Sequence, residues 1–147
     1  MSINLRDKSL YLQGMFILIG KDSVVSPEEN EMVMHMGRLL QFSTEFCQET
    51  IQNLLQNEYI GQLRPVFSDV EFSKIFLKDA IKLAFADNQL HSKEYEWLKK
   101  VARRNKISDE WLSFQLSSFL NMPETDEKKT LEIERLYNKQ ATFKPFT

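Results

Sequence analysis

A chain of 147 residues with 42% hydrophobic side chains can bury a core, and 11 Phe and 2 Trp exclude a disordered tail. Four Gly and four Pro are too few for a turn-rich β-sandwich or barrel, so an all-α fold is expected. The net charge of −2 gives no global attraction to nucleic acid or anionic membranes, and a single cysteine excludes an internal disulfide. The apolar run 15–19 is too short for a signal peptide or a membrane span, so a cytoplasmic, soluble protein is expected.

The first part of the chain predicts three helices. Apolar residues recur at helical spacing over residues 5–19, which we expect to form the first. The stretch Ser26-Pro27-Glu28-Glu29 places Ser at N-cap, Pro at N1 and Glu at N3 of a second helix, which should end near Gln41. A third helix is expected to begin after Ser43. Its inward side chains are predicted to be Phe46, Cys47, Ile51 and Leu54.

The second part predicts a linker and four further helices. Gly61 and Pro65 break the linker, residues 57–67. Ser68-Asp69-Val70-Glu71 has the form of a capping box, and His91 stands at the N-cap position of a later helix. The expected helices cover about 68–86, 92–105, 108–120 and 125–139, the last being amphipathic.

The two parts repeat each other at an offset of 65 residues. Without a gap, residues 11–55 align with residues 76–120. Identical pairs are Leu12/Leu77, Leu18/Leu83, Asp22/Asp87, Glu29/Glu94, Glu31/Glu96, Arg38/Arg103, Ser43/Ser108, Glu45/Glu110 and Leu55/Leu120. Internal repetition fixes the architecture, so we expect a single helical domain of two pseudo-symmetric three-helix repeats. Its expected parts are repeat one over about 5–56, a linker over 57–67, repeat two over about 68–121 and a C-terminal extension over 122–147.

The turn before the second helix of each repeat carries the same acidic pattern. LIGKDSVVSPEENEMV and LAFADNQLHSKEYEWL each place an Asp seven positions before a Glu, with an aliphatic residue between them. These segments resemble the two signature segments of the TerB-like superfamily, named for a tellurite-resistance protein. The resemblance covers about residues 11–120. Ser23 and Asn88 stand where the family usually has Gly, and Ile19-Gly20-Lys21 replaces its small apolar run.

The resemblance implies an all-helical fold and acidic residues that hold a divalent metal, here Asp22, Glu29, Asp87 and Glu94. It implies no established catalytic chemistry. It also implies an association with chemical-stress response and phage defence, often as part of larger proteins.

The same four carboxylates have two interpretations from the residues alone. Ca²⁺ or Mg²⁺ prefers oxygen ligands, so two facing acidic turns would suit such a cation. Alternatively, Glu29 and Glu94 close capping boxes, while Asp22 and Asp87 bond the amides of their own turns. An EF-hand is not expected, because its first ligand positions would fall on apolar residues in the second turn.

The favoured function is a non-catalytic binding or regulatory module whose partner is another protein. The basic stretch 99–106 is interpreted as the solvated face of a helix, since no aromatic platform or nucleic-acid motif accompanies it. His35 and His91 lack zinc-site spacing, and no nucleophile or phosphate-loop motif is present. Two alternatives stay open: a metal-dependent enzyme that uses the paired carboxylates, and a nucleic-acid-associated protein that uses the face 99–106 without sequence specificity.

Overall fold

The computed structural model describes residues 3–21, 25–56 and 63–142, without the side chains of Leu54, Leu55 and residues 139–142. Across these residues every regular element is a helix, as composition predicts. The helices are α1 (Leu5–Ile19), α2 (Pro27–Leu39), α3 (Thr44–Gln56), α4 (Val70–Ala84), α5 (Ser92–Arg104), α6 (Asp109–Asn121), α7 (Asp126–Lys129) and α8 (Glu132–Thr142). None of these helices is long and apolar enough to cross a membrane.

The first six helices follow one spacing. Each bound of α1, α2 and α3 lies 65 residues before the matching bound of α4, α5 and α6, so the paired helices have 15, 13 and 13 residues. Gln41 and Lys106, which are also 65 residues apart, both adopt left-handed backbone conformations with φ of 70° and 62°. The amide after each donates to the carbonyl five positions earlier, at 2.9 and 2.8 Å. Both helices therefore end in the same Schellman-type turn.

The N-cap of α4 is Asp69 and not the predicted Ser68. The Asp69 carboxylate accepts a hydrogen bond from the amide of Glu71 at 2.8 Å, which satisfies a donor at the start of the helix. The hydroxyl of Ser68 instead donates to Asp7 of α1 at 3.2 Å. The segment before α4 is thereby tied to α1.

The prediction that Phe46 faces inward is wrong, since 48% of its surface is exposed. Cys47 takes the inward position and is 1% exposed. Neighbouring residues on a helix point about 100° apart, so both cannot face the core. Phe46 stacks instead on Phe42, with ring centroids 5.3 Å apart. The side chain of Leu54, also predicted to be inward, lies outside the described residues.

The predicted last helix is in fact two helices. The backbone is extended at Thr130, between α7 and α8, and the carbonyl of Thr130 accepts a hydrogen bond from Lys82 of α4. The amphipathic pattern over 125–139 gave no sign of this break, because its cause lies in another helix.

The core centres on the contact between α1 and α4. Phe76 of α4 is fully buried, and its ring centroid lies 5.6 Å from Tyr11, 5.1 Å from Phe67 and 6.3 Å from Trp97. Gly14 of α1 faces this ring: a Cβ there would lie 2.7 Å from an atom of Phe76. The absence of a side chain at Gly14 therefore lets the two central helices approach closely.

Candidate functional site

Glu29 and Glu94 occupy equivalent positions in the first turns of α2 and α5. Each is only 1% exposed. One oxygen of each carboxylate accepts a hydrogen bond from the N-cap amide, that of Ser26 or His91, at 2.9 Å. The Ser26 hydroxyl in turn accepts from the amide of Glu29 at 3.1 Å and completes the capping box. Both glutamates therefore stabilise helix starts, as one of the two interpretations predicts.

Asp87 is bonded within its own turn. One carboxylate oxygen accepts from the amide of Gln89 at 3.1 Å, and the other lies 3.5 Å from Nε2 of His91. Between them Asn88 has a φ of 68°, a left-handed conformation that Asn adopts more readily than most residues. This turn is an Asx turn that leads into α5.

The predicted cation site is only partly visible. Asp22 lies outside the described residues, so its position relative to Glu29, Asp87 and Glu94 is not given. Among the residues that the structure describes, no three His, Cys, Asp or Glu side chains gather as metal ligands would. The four-carboxylate site therefore stays a prediction.

The basic stretch 99–106 is a surface with neutralised charges. Lys99 pairs with Glu96 at 2.8 Å and lies 5.1 Å from the ring centre of Tyr95. Arg103 makes two hydrogen bonds to Asp109, at 3.1 and 2.8 Å. Such pairing fits the interpretation of a solvated helix face.

A groove of about 890 Å³ lies among α2, the end of α4, α6 and α7. Residues beside both acidic turns contribute to it: Glu28 precedes Glu29, and Ala86 and Asn88 flank Asp87. The apolar side chains that line it are Met32, Phe85, Phe119, Leu120 and Leu131. Its charged and polar rim includes Glu28, Glu31, His35, Arg38, Glu124 and Lys129. This volume is within the usual range for a ligand site.

The apolar floor of the groove is partly open to solvent. The rings of Phe85 and Phe119 pack 5.4 Å apart, while Leu120 is 56% exposed. Lys128 covers Phe119 with its ammonium 4.6 Å from the ring centre, held there by Glu124 at 2.7 Å and the carbonyl of Met122 at 3.3 Å. The floor is therefore a fixed surface and not a loose cluster.

Asp79 of α4 is a fully buried carboxylate that the predicted sites do not include. Its oxygens accept hydrogen bonds from the hydroxyl of Tyr11 at 2.6 Å and from the amides of Glu132 and Ile133 at 2.6 and 3.0 Å. A side chain of α4 thus caps α8, whose first amides have no intrahelical partner. The sequence signal was its position three residues after Phe76, on the inward stripe of α4.

The burial of Asp79 raises the pKa of its carboxyl from 3.8 to about 6, although the hydrogen bonds from Tyr11, Glu132 and Ile133 and the charge of Lys82 oppose the rise. Burial, with the neighbouring Asp79 charge, raises the pKa of Tyr11 well above its ordinary value, so this hydroxyl stays a donor at neutral pH. Asp79 and Tyr11 are both 0% exposed. They therefore hold α8 in place and do not face a substrate.

No protein-family model, curated protein or solved structure significantly matches this chain. The TerB-like resemblance thus still depends on the two acidic segments alone. Function has to be inferred from the groove and from the charges around it.

Proposed function

We propose that this chain is a non-catalytic binding module and that its groove holds a segment of a partner protein. The observation that carries the proposal is the floor of Met32, Phe85, Phe119 and Leu120, open to solvent and bordered by charges. Methionine and aromatic side chains are enriched at surfaces that bind amphipathic segments, because they offer large and adaptable apolar area. An amphipathic helix in a groove is a common form of such recognition.

The charges on the rim define the chemistry of this partner. The α2 side contributes Glu28, Glu31 and Arg38, and the α7 side contributes Glu124 and Lys129. A rim of mixed sign disfavours a polyanion such as nucleic acid. It suits a peptide that has apolar side chains on one face and both acidic and basic residues beside them.

A non-catalytic role is supported by the partners of the polar groups in the described lining. His35 pairs with Glu134 at 2.7 Å, and Lys82 bonds the carbonyl of Thr130. Lys128 is bound to Glu124. These groups already have structural partners, and no nucleophile lies beside a general base in that lining.

We also propose that the chain consists of two repeats of the TerB-like type, α1–α3 and α4–α6, followed by a C-terminal extension. The 65-residue offset of all six helix pairs supports the repeats, as does the shared turn at Gln41 and Lys106. The matching caps at Glu29 and Glu94 support the same arrangement. A role in chemical-stress response follows only from the resemblance.

The groove is tested by the variant Leu120→Glu. Leu120 lines the groove and is 56% exposed, so a charge there should block an apolar ligand without unfolding the domain. Peptides selected against the wild-type protein from a displayed random library should lose at least tenfold in affinity for the variant. The matched control is Phe114→Glu, since Phe114 is on the same helix, is 65% exposed and does not line the groove. Equal binding by both variants, or no selected peptide at all, contradicts the proposal.

A divalent cation at Asp22, Glu29, Asp87 and Glu94 is a second proposal. It is favoured by one observation: residues adjacent to Glu29 and Asp87 line the same groove. We expect weak, millimolar stabilisation by Ca²⁺ or Mg²⁺ in a thermal-shift titration, because each Glu already uses one oxygen for capping. The double variant Asp22→Ala, Asp87→Ala should lose this stabilisation. A response that is absent in the wild type, or that survives in the double variant, rejects the assignment.

A further inference from the structure

A second cleft lies on another side of the molecule, where the end of α1, the segment before α4 and the start of α5 meet. Its volume is about 280 Å³. Four basic residues from these three segments line it: Lys21, Arg64, Lys93 and Lys100. Basic residues that are remote in sequence are thus brought into one concave site.

The charge of this cleft is strongly unbalanced. Glu96 is the one carboxylate in its described lining, and Glu96 already pairs with Lys99 at 2.8 Å. The cations affect one another: burial first, then the charges of Arg64, Lys100 and Lys93, lower the pKa of Lys21. Like charges held this close have an energetic cost that a bound anion removes.

The walls of the cleft are rigid. Trp97, which lines it, is 3% exposed and donates a hydrogen bond from its indole nitrogen to the carbonyl of Leu63 at 3.0 Å. The ammonium of Lys21 lies 5.9 Å from the centre of the indole ring. Lys93 belongs to the first turn of α5, a helix of 13 residues whose N-terminal dipole adds to the positive potential.

We propose that this cleft binds the phosphate groups of a small phosphate-bearing molecule, with two or more linked phosphates as the preferred ligand. Four cations in one small pocket match several negative charges on one compact ligand. An extended nucleic acid backbone is disfavoured, because the pocket is small and the protein has a net charge of −2. Trp97 is too buried to stack on a base, so recognition is of phosphate and not of the nucleobase.

The probe is inorganic pyrophosphate, titrated at physiological ionic strength with binding followed by calorimetry. We expect saturable binding to the wild-type protein and at least tenfold weaker binding to Lys93→Ala, Lys100→Ala. Lys93 and Lys100 lie in α5, where alanine is well tolerated. The matched control is Arg103→Ala, Arg104→Ala, which removes the same charge from the same helix outside the cleft. This control should bind pyrophosphate as the wild type does.

Further titrations distinguish the sources of the phosphate. ATP, GTP and CTP should bind with similar affinity, whereas a short oligonucleotide and inorganic monophosphate should bind more weakly than pyrophosphate. The groove variant Leu120→Glu should bind pyrophosphate normally, so the two sites are tested independently. No saturable binding at millimolar pyrophosphate overturns the proposal. Equal losses in both double variants also overturn it, because they indicate a net-charge effect, as does an oligonucleotide that binds more tightly.

Discussion

Replacement of Phe76 by alanine is expected to lower the free energy of unfolding by about 3–5 kcal/mol, the range for a large aromatic side chain removed from a core. Phe76 is 0% exposed, and its ring contacts those of Tyr11, Phe67 and Trp97. The ring also fills the space beside Gly14, where the two central helices cross. Its loss leaves a cavity bounded by rigid rings, which cannot readily collapse.

Urea denaturation of both proteins at one pH measures this loss. The matched control is Phe114→Ala, which removes the same side chain from a position that is 65% exposed. Its effect should stay within about 0.5 kcal/mol. Similar losses in the two variants would mean that the contact between α1 and α4 is not the centre of the core.

The second large effect is a pH dependence caused by Asp79. Its pKa of about 6 in the folded protein exceeds its ordinary value of 3.8, so between these two values the folded state binds more protons than the unfolded chain does. The contribution of Asp79 to stability is therefore fully present below about pH 4 and is lost as the pH rises through 6. A shift of this size corresponds to about 3 kcal/mol.

The measurement compares the wild-type protein with Asp79→Asn by urea denaturation from pH 4 to pH 7. The variant cannot titrate at this position, so the wild type should lose about 3 kcal/mol more than the variant as the pH rises. Subtraction of the two curves cancels every other titrating group. Parallel curves would show that Asp79 does not titrate in this range.

Asp109→Asn gives the opposite sign. The hydrogen bond and the charge of Arg103 lower the pKa of Asp109, so its contribution is present above its unfolded pKa and is lost as the pH falls. Asp109 lies at the surface, where solvent screens the pair, and the difference should be small.

Local signals were enough to predict the first six helices to within about two residues. The Ser26 and Glu29 capping box and the His91 N-cap required only residues close in sequence, and both are present. The same is true of Cys47, which is buried as its apolar stripe predicts. Phe46 was misplaced because an apolar neighbour on the same helix competed for the core.

The groove and the basic cleft were not predictable, because each depends on how remote helices approach one another. Leu120 of α6 and Met32 of α2 line one groove, although no local pattern relates them. Lys21 and Lys100 likewise share a cleft through tertiary packing alone. Asp79 could be noticed as an acid on an apolar stripe, but its partners in α8 could not be named from the sequence.

The cap that Asp79 places on α8 has a consequence for how the domain unfolds. An isolated helix of the length of α8, 11 residues, is marginal in water. Two of its first amides are held by a carboxylate that is itself positioned by Tyr11 of α1 and by the backbone of α4. When the central helices separate, this support disappears, and when α8 leaves, a buried charge loses two of its donors. The C-terminal helix and the centre of the molecule therefore belong to one cooperative unit.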